Sequence, residues 1–231
     1  MIRLIAFDLD GTLIDSRRDL AESANTLLSV YDAPPLPHDT IVAMVGEGAL
    51  KLIARLLHAA QVNVPLDEAL ARFIEIYERR LVAHTRPYPG IPEALGMLLK
   101  RSQLAVLTNK PRRAALDILD HLELLDLFIE VIGGDGPLPR KPDPGGLQAL
   151  CAQANARPEE TLLVGDSWVD VETARRASAR AALVTYGFGV PPAEGLRPGE
   201  FEVRHPSELP GLLARLNANG HGATALLPPD A

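Results

Sequence analysis

The sequence predicts an α/β fold in which a doubly wound parallel sheet carries an inserted small helical domain. Short apolar runs alternate with helical patterns in the second half of the chain, as strands and crossover helices do in a parallel sheet. Between residues 10 and 104, by contrast, only helical periodicity occurs. A crossover between parallel strands needs about a dozen residues, so an interval of roughly ninety predicts an insertion.

The strands are predicted from apolar runs of about 4–8 residues, the length of a buried strand in a parallel sheet. They cover residues 2–9, 104–107, 128–132, 162–164 and 181–184. Helical patterns lie between the later strands, at residues 92–101, 111–119, 145–154 and 169–179. This alternation is typical of a Rossmann-like core.

The inserted helices are predicted from apolar stripes with helical spacing. The first stripe is Leu20, Ala24, Leu27, Leu28 and Tyr31, and the second is Leu66, Leu70, Phe73, Ile74, Tyr77 and Leu81. A third segment, 39–60, is interrupted by Gly46-Glu47-Gly48. The insertion is expected to span residues 16–84, within a core of residues 1–15 and 85–216. Residues 217–231, rich in glycine, proline and alanine, are expected to form a flexible tail.

Composition excludes several classes of protein. Among 231 residues, 47% are apolar and 23% are charged, so a large core is possible and general disorder is not expected. The single cysteine, Cys151, excludes an internal disulfide and a multi-cysteine metal site. The net charge of −7 argues against nucleic-acid binding. No apolar run approaches the ~18 residues of a membrane span. A cytoplasmic protein without nucleic-acid or membrane partners is therefore expected. Its oligomeric state, monomer or homodimer, is left open by the sequence.

Polar residues follow three of the predicted strands, where ligands bind in open parallel sheets. Asp8 and Asp10 end the first strand, Thr108 follows the second, and Asp166 and Asp170 follow the fourth. Two carboxylates at positions i and i+2 share one face of a strand and repel each other unless a cation neutralises them. Oxygen ligands suit Mg²⁺, so a magnesium site is expected at this edge.

Four segments resemble the motifs of the haloacid dehalogenase superfamily, in the same order along the chain. They are Asp8-Leu9-Asp10-Gly11-Thr12, Leu107-Thr108-Asn109-Lys110, Arg140-Lys141-Pro142-Asp143-Pro144 and Gly165-Asp166-Ser167-Trp168-Val169-Asp170. The insertion resembles the small helical cap of one subgroup. Further segments, among them 45–49 and 185–189, are similar to phosphoglycolate phosphatases. Ser178 departs from the pattern, because a glycine is usual at this helix end.

The resemblance implies a phosphatase mechanism. Asp8 would attack phosphorus and form an aspartyl phosphate, while Asp10 would act as general acid and then as general base. Mg²⁺ would be bound by Asp8, the backbone carbonyl of Asp10, and Asp166. The expected substrate is a small phosphorylated acid, with 2-phosphoglycolate as the leading candidate.

The resemblance also implies how the substrate is held. Thr108, Asn109 and Lys141 would bind the phosphoryl group, and Asp170 would support the site by steering Lys141 or water on the metal. The candidates for substrate specificity in the cap are Gly46, Glu47, Gly48 and Lys51. Lys110 is expected at a helix start facing solvent rather than in the site.

Other functions are compatible with the same motifs. They include a sugar-phosphate phosphatase, for example for a muramic acid phosphate, and a β-phosphoglucomutase-like phosphotransferase. A phosphonate hydrolase would use a cap lysine such as Lys51 as a Schiff base, but it would have a small residue in place of Asp10. A non-catalytic binding protein is disfavoured because Asp8, Asp10, Thr108, Lys141 and Asp166 are all present.

Overall fold

The computed structural model describes residues 1–219, and the main sheet has six strands, all paired in parallel. In chain order the strands are β1 (Leu4–Phe7), β2 (Ile14–Asp15), β3 (Arg86–Pro87), β4 (Gln103–Leu107), β5 (Val131–Ile132), β6 (Thr161–Gly165), β7 (Arg180–Val184) and β8 (Phe201–Val203). The spatial order is β5-β4-β1-β6-β7-β8, and β2 and β3 form a separate antiparallel pair.

The α-helices of the described residues fall into two groups. Four of them follow β2 and precede β3: α1 (Arg17–Val30), α2 (His38–Val42), α3 (Ala49–Ala59) and α4 (Leu66–Glu78). The others are α5 (Ile91–Leu98), α6 (Arg112–His121), α7 (Gly145–Gln153), α8 (Trp168–Arg176) and α9 (Leu209–Asn219). We call the segment that carries α1–α4 the cap. No helix within residues 1–219 is long and apolar enough to cross a membrane.

Both faces of the sheet are covered by helices, as in a doubly wound fold. Because side chains alternate along a strand, Ile5 and Phe7 of β1 join one apolar cluster, whereas Leu4 and Ala6 join another. The first cluster includes side chains of α5, α6 and α9 and continues into the cap. The second contains side chains of α7 and α8, and Cys151 lies buried in it. The predicted fold class is confirmed.

Several elements differ from the sequence-based prediction. The expectation of helices alone between residues 10 and 104 is wrong at its two ends, where β2 and β3 pair; each is only two residues long, too short to give a periodic signal. The predicted strand at 128–132 pairs only over Val131–Ile132, while Phe128 packs edge-on against Phe7. β8 and α9 were not predicted, although α9 buries a helical stripe of leucines at 209, 212, 213 and 216. The flexible tail predicted from residue 217 is wrong for residues 217–219, which belong to α9. Residues 220–231 of that predicted tail lie outside the described residues.

The first helix of the cap is tied to the chain segment that returns to the sheet. Asp19 of α1 is fully buried, and its Oδ2 accepts hydrogen bonds from the backbone N–H groups of His84 and Thr85 at 2.8 and 2.7 Å. The hydroxyl of Thr85 donates a third, at 2.8 Å. A buried carboxylate needs such partners, so this cluster joins the two ends of the insertion.

Ser178 follows the C-terminal end of α8 with a positive φ of 58°. Its backbone N–H donates to the carbonyl of Arg175 at 3.1 Å, which closes the last turn of the helix. A left-handed residue at this position is normally glycine, because a Cβ is strained there. The departure from glycine therefore places strain at the end of α8.

Ser178→Gly should stabilise the protein by about 0.5–1 kcal/mol. Removing the Cβ relieves left-handed strain of roughly 1–2 kcal/mol, and the greater entropy of glycine in the unfolded chain offsets about 0.5–1 kcal/mol of this. Urea unfolding measures the difference, with Ser178→Ala as the control that keeps a Cβ. Equal stability of the glycine and alanine variants would contradict this account.

Candidate active site

The residues at the strand ends meet at the carboxyl edge of the sheet. β1 lies between β4 and β6, and the register places Phe7 opposite Val106 and Val164. The loops that follow these three strands therefore leave the sheet side by side. They bring Asp8 together with residues that are distant in the sequence.

Lys141 is the cation at the centre of this edge. Its Nζ lies 3.0 Å from Asp8 Oδ1 and 2.5 Å from Asp170 Oδ1, and its side chain is 2% exposed. The other oxygen of Asp170 accepts hydrogen bonds from the backbone N–H and the hydroxyl of Ser167, at 3.1 and 2.7 Å. Asp170 therefore holds Lys141 beside Asp8 and also begins α8 through its bond to Ser167.

Burial changes the ionisation of these groups. It raises the pKa of Asp8 to about 6, with Lys141 opposing and Asp170 adding to the shift. Burial, together with the charges of Asp170 and Asp8, raises the pKa of Asp166 to about 8. Burial alone would lower the pKa of Lys141, but the attraction of Asp170 and Asp8 outweighs it and raises that pKa. When Asp8, Asp166 and Asp170 are all ionised, their negative charge exceeds the positive charge of Lys141, and a bound cation would neutralise the excess.

Three carboxylates are arranged suitably for a divalent metal ion. One oxygen each from Asp8, Asp166 and Asp170 lies within 4.8 Å of the others. Asp166 Oδ2 accepts hydrogen bonds from the backbone N–H groups of Phe188 and Gly189 at 3.0 and 2.7 Å. Its Oδ1 has no hydrogen-bond partner in the described part of the chain. Such an all-oxygen, buried donor set fits Mg²⁺.

Glycines allow two loops to approach Asp166 closely. Gly11 has a φ of 84°, and a Cβ there would lie 1.8 Å from Asp166 Oδ2. A Cβ at Gly187 would lie 2.5 Å from Asp166 Cβ. Side chains at these positions would displace the carboxylate of Asp166. Both glycines are therefore needed for the backbone to pack against the candidate metal site.

Asp10 lies in a second ion pair that faces the cap. Its Oδ1 accepts a hydrogen bond from the Ser16 hydroxyl at 2.6 Å, and both of its oxygens lie 3.0 Å from Lys110 Nζ. The carboxylate of Asp10 is therefore outside the cluster of Asp8, Asp166 and Asp170, and the ligand expected from this residue is its backbone carbonyl. The prediction that Lys110 faces solvent is wrong, because its side chain is 4% exposed.

Thr108 and Asn109 directly follow β4 and line the same cleft as Asp8 and Asp10. The Asn109 side chain donates to the carbonyls of Lys141, at 3.1 Å, and of Gly46 in the cap, at 3.2 Å. The backbone N–H of Asn109 has no hydrogen-bond partner within residues 1–219. A free N–H beside a hydroxyl is the arrangement that binds a phosphoryl oxygen.

A cleft of about 310 Å³ separates the cap from the sheet edge and is lined by Asp8, Asp10, Thr108 and Asn109. The wall formed by the cap is mostly apolar, and its side chains include those of Val45, Leu50, Leu70, Phe73 and Ile74.

The four cap residues predicted to set specificity are not equivalent. Gly46 and Gly48 line the cleft. Glu47 and Lys51 do not, because Glu47 pairs on the cap with Lys51, at 2.5 Å, and with Arg55. The charge of Glu47 is thus paired on the surface of the cap, and the side chain of Lys51 is 58% exposed. The expectation that Glu47 and Lys51 meet substrate therefore finds no support in this arrangement.

Sequence reasoning missed Tyr77 and Arg140 as residues of the site. Tyr77 was assigned to an apolar stripe, yet its hydroxyl lies 2.7 Å from Lys110 Nζ inside the cleft. Arg140 also lines the cleft, beside Gly48. The only available signal for Arg140 was its position next to Lys141, and none existed for Tyr77.

Comparison with known proteins agrees with this geometry. The model of the haloacid dehalogenase-like hydrolase family matches residues 5–184. The chain belongs to this family. It is 38% identical over 192 residues to a phosphoglycolate phosphatase of Nitrosospira multiformis, covering 81% of this chain and 85% of the relative. It is also 38% identical over 200 residues to phosphoglycolate phosphatase 1 of Pseudomonas aeruginosa, covering 83% and 73%.

Solved structures give the same family. The crystal structure of a predicted phosphoglycolate phosphatase from Haemophilus somnus superimposes with a TM-score of 0.84 at 28% identity. The match covers 92% of this chain and 98% of that one. With these relatives and this site, the protein is an enzyme, a phosphoric monoester hydrolase of the haloacid dehalogenase-like family.

Mg²⁺ should stabilise the enzyme more at about pH 8.5 than at about pH 6. The pKa of Asp166 is raised from 3.8 to about 8, so the metal-free fold loses stability as pH rises through that range. A metal ion binds the ionised form and reverses this loss. Melting temperatures with excess Mg²⁺ and with EDTA, at both pH values, measure the effect.

The control for this experiment is Asp166→Asn, which removes one titrating ligand and should reduce both the Mg²⁺-induced shift and its dependence on pH. The pH dependence that remains belongs to Asp8, whose pKa is about 6. An equal Mg²⁺-induced shift at both pH values in the unmodified enzyme would contradict the assigned site.

Proposed function

We propose that this enzyme hydrolyses 2-phosphoglycolate to glycolate and phosphate through an aspartyl phosphate on Asp8, with Mg²⁺ as its cofactor. The observation that carries the proposal is Asp8 itself, which lies in the cleft and is oriented by two contacts to one oxygen. The backbone N–H of Leu9 donates to its Oδ1 at 2.7 Å, and Lys141 Nζ lies 3.0 Å from the same atom. The relatives named phosphoglycolate phosphatase support the choice of substrate.

In the first step the carboxylate of Asp8 attacks phosphorus, and the bond between phosphorus and the glycolate oxygen breaks. Asp10, which enters this step in its protonated form, gives its proton to the departing alkoxide, which leaves as glycolate. The Thr108 hydroxyl and the free N–H of Asn109 bind the phosphoryl oxygens, while Lys141 balances their charge. Asp8, Asp166 and the carbonyl of Asp10 would hold Mg²⁺, which supplies positive charge for the transferring group.

In the second step water attacks the phosphorus of the aspartyl phosphate, and Asp10 accepts the proton of that water. The bond from phosphorus to Asp8 breaks, so phosphate leaves and both aspartates return to their starting forms. The apolar cap wall keeps bulk water away from the reacting groups.

The carboxylate of the substrate needs a cation, and Arg140 is the candidate that the cleft offers. Its Nε donates to the carbonyl of Gly134 at 2.5 Å, and a Cβ at Gly48 would lie 3.2 Å from its Nη1. Within residues 1–219 no carboxylate pairs with Arg140. Arg113 also lines the cleft but is paired with Asp117 at 3.0 Å. Arg140 is therefore the guanidinium that is free to bind a carboxylate.

A panel of phosphate monoesters assayed for phosphate release tests the function. With Mg²⁺, 2-phosphoglycolate should have the highest kcat/KM, above sugar phosphates, and no phosphoryl transfer between sugar positions should occur. Preference for a sugar phosphate would favour one of the alternative functions instead.

Asp8→Asn should abolish turnover of every ester in the panel, because an amide cannot form the acyl phosphate. Asp15→Asn is the control, since Asp15 lies in the same segment but pairs with Arg17 at 2.6 Å near the surface. Circular dichroism verifies that both variants fold. Substantial hydrolysis by Asp8→Asn would refute the mechanism.

Arg140→Gln should raise KM for 2-phosphoglycolate by about tenfold or more, because a charge-assisted hydrogen bond of ~1.5 kcal/mol or more is lost. It should leave kcat/KM for ethyl phosphate, which has no carboxylate, almost unchanged. Arg113→Gln is the matched control and should change neither substrate. If Arg140→Gln affects both esters equally, Arg140 acts on loop structure and not on the carboxylate.

A further inference from the structure

We propose that Lys110 is a positioning residue that links the acid/base group Asp10 to the cap, so that Asp10 is held in place only while Tyr77 covers Lys110. The proposal rests on the role given to Asp10 in the proposed function. It goes beyond the roles proposed for Asp8, Asp10, Thr108, Lys141 and Asp166 in two ways. It gives Lys110 a role, and it makes proton transfer by Asp10 depend on the position of the cap.

The first argument is the way in which the ammonium of Lys110 is used. An ammonium has three N–H donors. Lys110 Nζ lies 3.0 Å from each oxygen of Asp10 and 2.7 Å from the hydroxyl of Tyr77. Two donors therefore hold Asp10 and the third reaches the cap. All three donors find protein partners together only when the cap and the sheet domain are in this arrangement.

The second argument is that Tyr77 is itself held firmly by the cap. It lies in α4, and its ring stacks on Phe73 with centroids 5.7 Å apart and an interplanar angle of 4°. Lys110 Nζ also lies 4.6 Å from the centroid of the Tyr77 ring, within the range of a cation–π contact. A movement of α4 thus removes both a hydrogen bond and an aromatic face from Lys110.

The third argument is that the pair of Lys110 and Asp10 is enclosed by elements on both sides of the cleft. Ser16, which donates to Asp10 at 2.6 Å, directly precedes α1, the first helix of the cap. Asn109, the neighbour of Lys110, donates to the cap carbonyl of Gly46 at 3.2 Å. When the cap moves away, water reaches a pair that is otherwise nearly buried, and the orientation of the carboxylate is no longer fixed.

The effect on the reaction rate depends on whether the leaving group needs a proton as it departs. Glycolate departs as a basic alkoxide and needs the proton of Asp10, whereas 4-nitrophenolate is stable without it. If the carboxyl group of Asp10 is no longer held in one orientation, cleavage of 2-phosphoglycolate should become slower. The rate of cleavage of 4-nitrophenyl phosphate should stay nearly the same. A residue that merely stabilised the fold would affect both esters alike.

Tyr77→Phe tests this, because it removes only the hydroxyl and keeps the ring that stacks on Phe73. Single-turnover measurements should give phosphoenzyme formation about tenfold slower with 2-phosphoglycolate and less than about twofold slower with 4-nitrophenyl phosphate. Tyr31→Phe is the matched control, since the hydroxyl of this cap tyrosine is buried without a hydrogen-bond partner among the described residues. It should leave both rates unchanged.

Two further variants complete the test. In an Asp10→Asn background, Tyr77→Phe should cause no additional loss with 2-phosphoglycolate, because the group that it positions is already gone. Lys110→Met should show the same leaving-group dependence as Tyr77→Phe, and Lys110→Arg should restore part of the rate. Thermal unfolding of each variant separates loss of fold from loss of positioning.

The outcomes distinguish the two proposals. If Asp10→Asn slows both esters equally, Asp10 is not the general acid, and both its role and that of Lys110 are wrong. If Asp10→Asn depends on the leaving group but Tyr77→Phe slows neither ester or slows both equally, the mechanism stands and the link through Lys110 is refuted. Loss confined to 2-phosphoglycolate in both variants supports the link.

Discussion

The ion pairs of Lys141 with Asp8 and Asp170 allow several carboxylates to lie buried at one edge of the sheet. Burying an unpaired carboxylate is costly, and burying several of them together adds repulsion. A lysine whose side chain is 2% exposed offsets both effects, because its ammonium lies within 3.0 Å of two of them. The orientation of Asp8 and, through Ser167, the start of α8 depend on this cation.

The sheet topology explains why this cluster forms where it does. A parallel sheet directs the ends of neighbouring strands to one edge, and β1 lies between the two strands that supply most of the other polar groups. Gly11 and Gly187 let their loops pack closely against Asp166. Lys141 neutralises only part of the negative charge of the ionised aspartates. The rest favours binding of a cation and lowers the stability of the metal-free fold.

The two lysine–aspartate pairs of the site differ in what encloses them. The charged groups that contact Lys141 Nζ, those of Asp8 and Asp170, both lie outside the cap. Lys110 and Asp10 are completed by Tyr77 from α4 and by Ser16 next to α1. A movement of the cap would therefore disturb the contacts of Asp10 directly and those of Asp8 only indirectly.

The sequence by itself determined the fold class and predicted most of the polar residues that meet at the carboxyl edge of the sheet. Apolar runs and helical stripes report burial directly, and Asp8, Thr108 and Asp166 follow buried strands whose ends must lie together in a parallel sheet. Helix α9 carries a sequence signal, the leucine stripe of residues 209–216, whereas β8 is only three residues long and has no comparable apolar run.

Only the tertiary structure decided which charged groups face the cleft. Lys110 follows a strand and could face solvent or protein, and the cap residue Tyr77, 33 positions away in sequence, brings it inside. Glu47 and Lys51 carry charges suited to a substrate but satisfy each other on the cap. The direction of a long side chain depends on partners from distant segments, and no local pattern of residues records those partners.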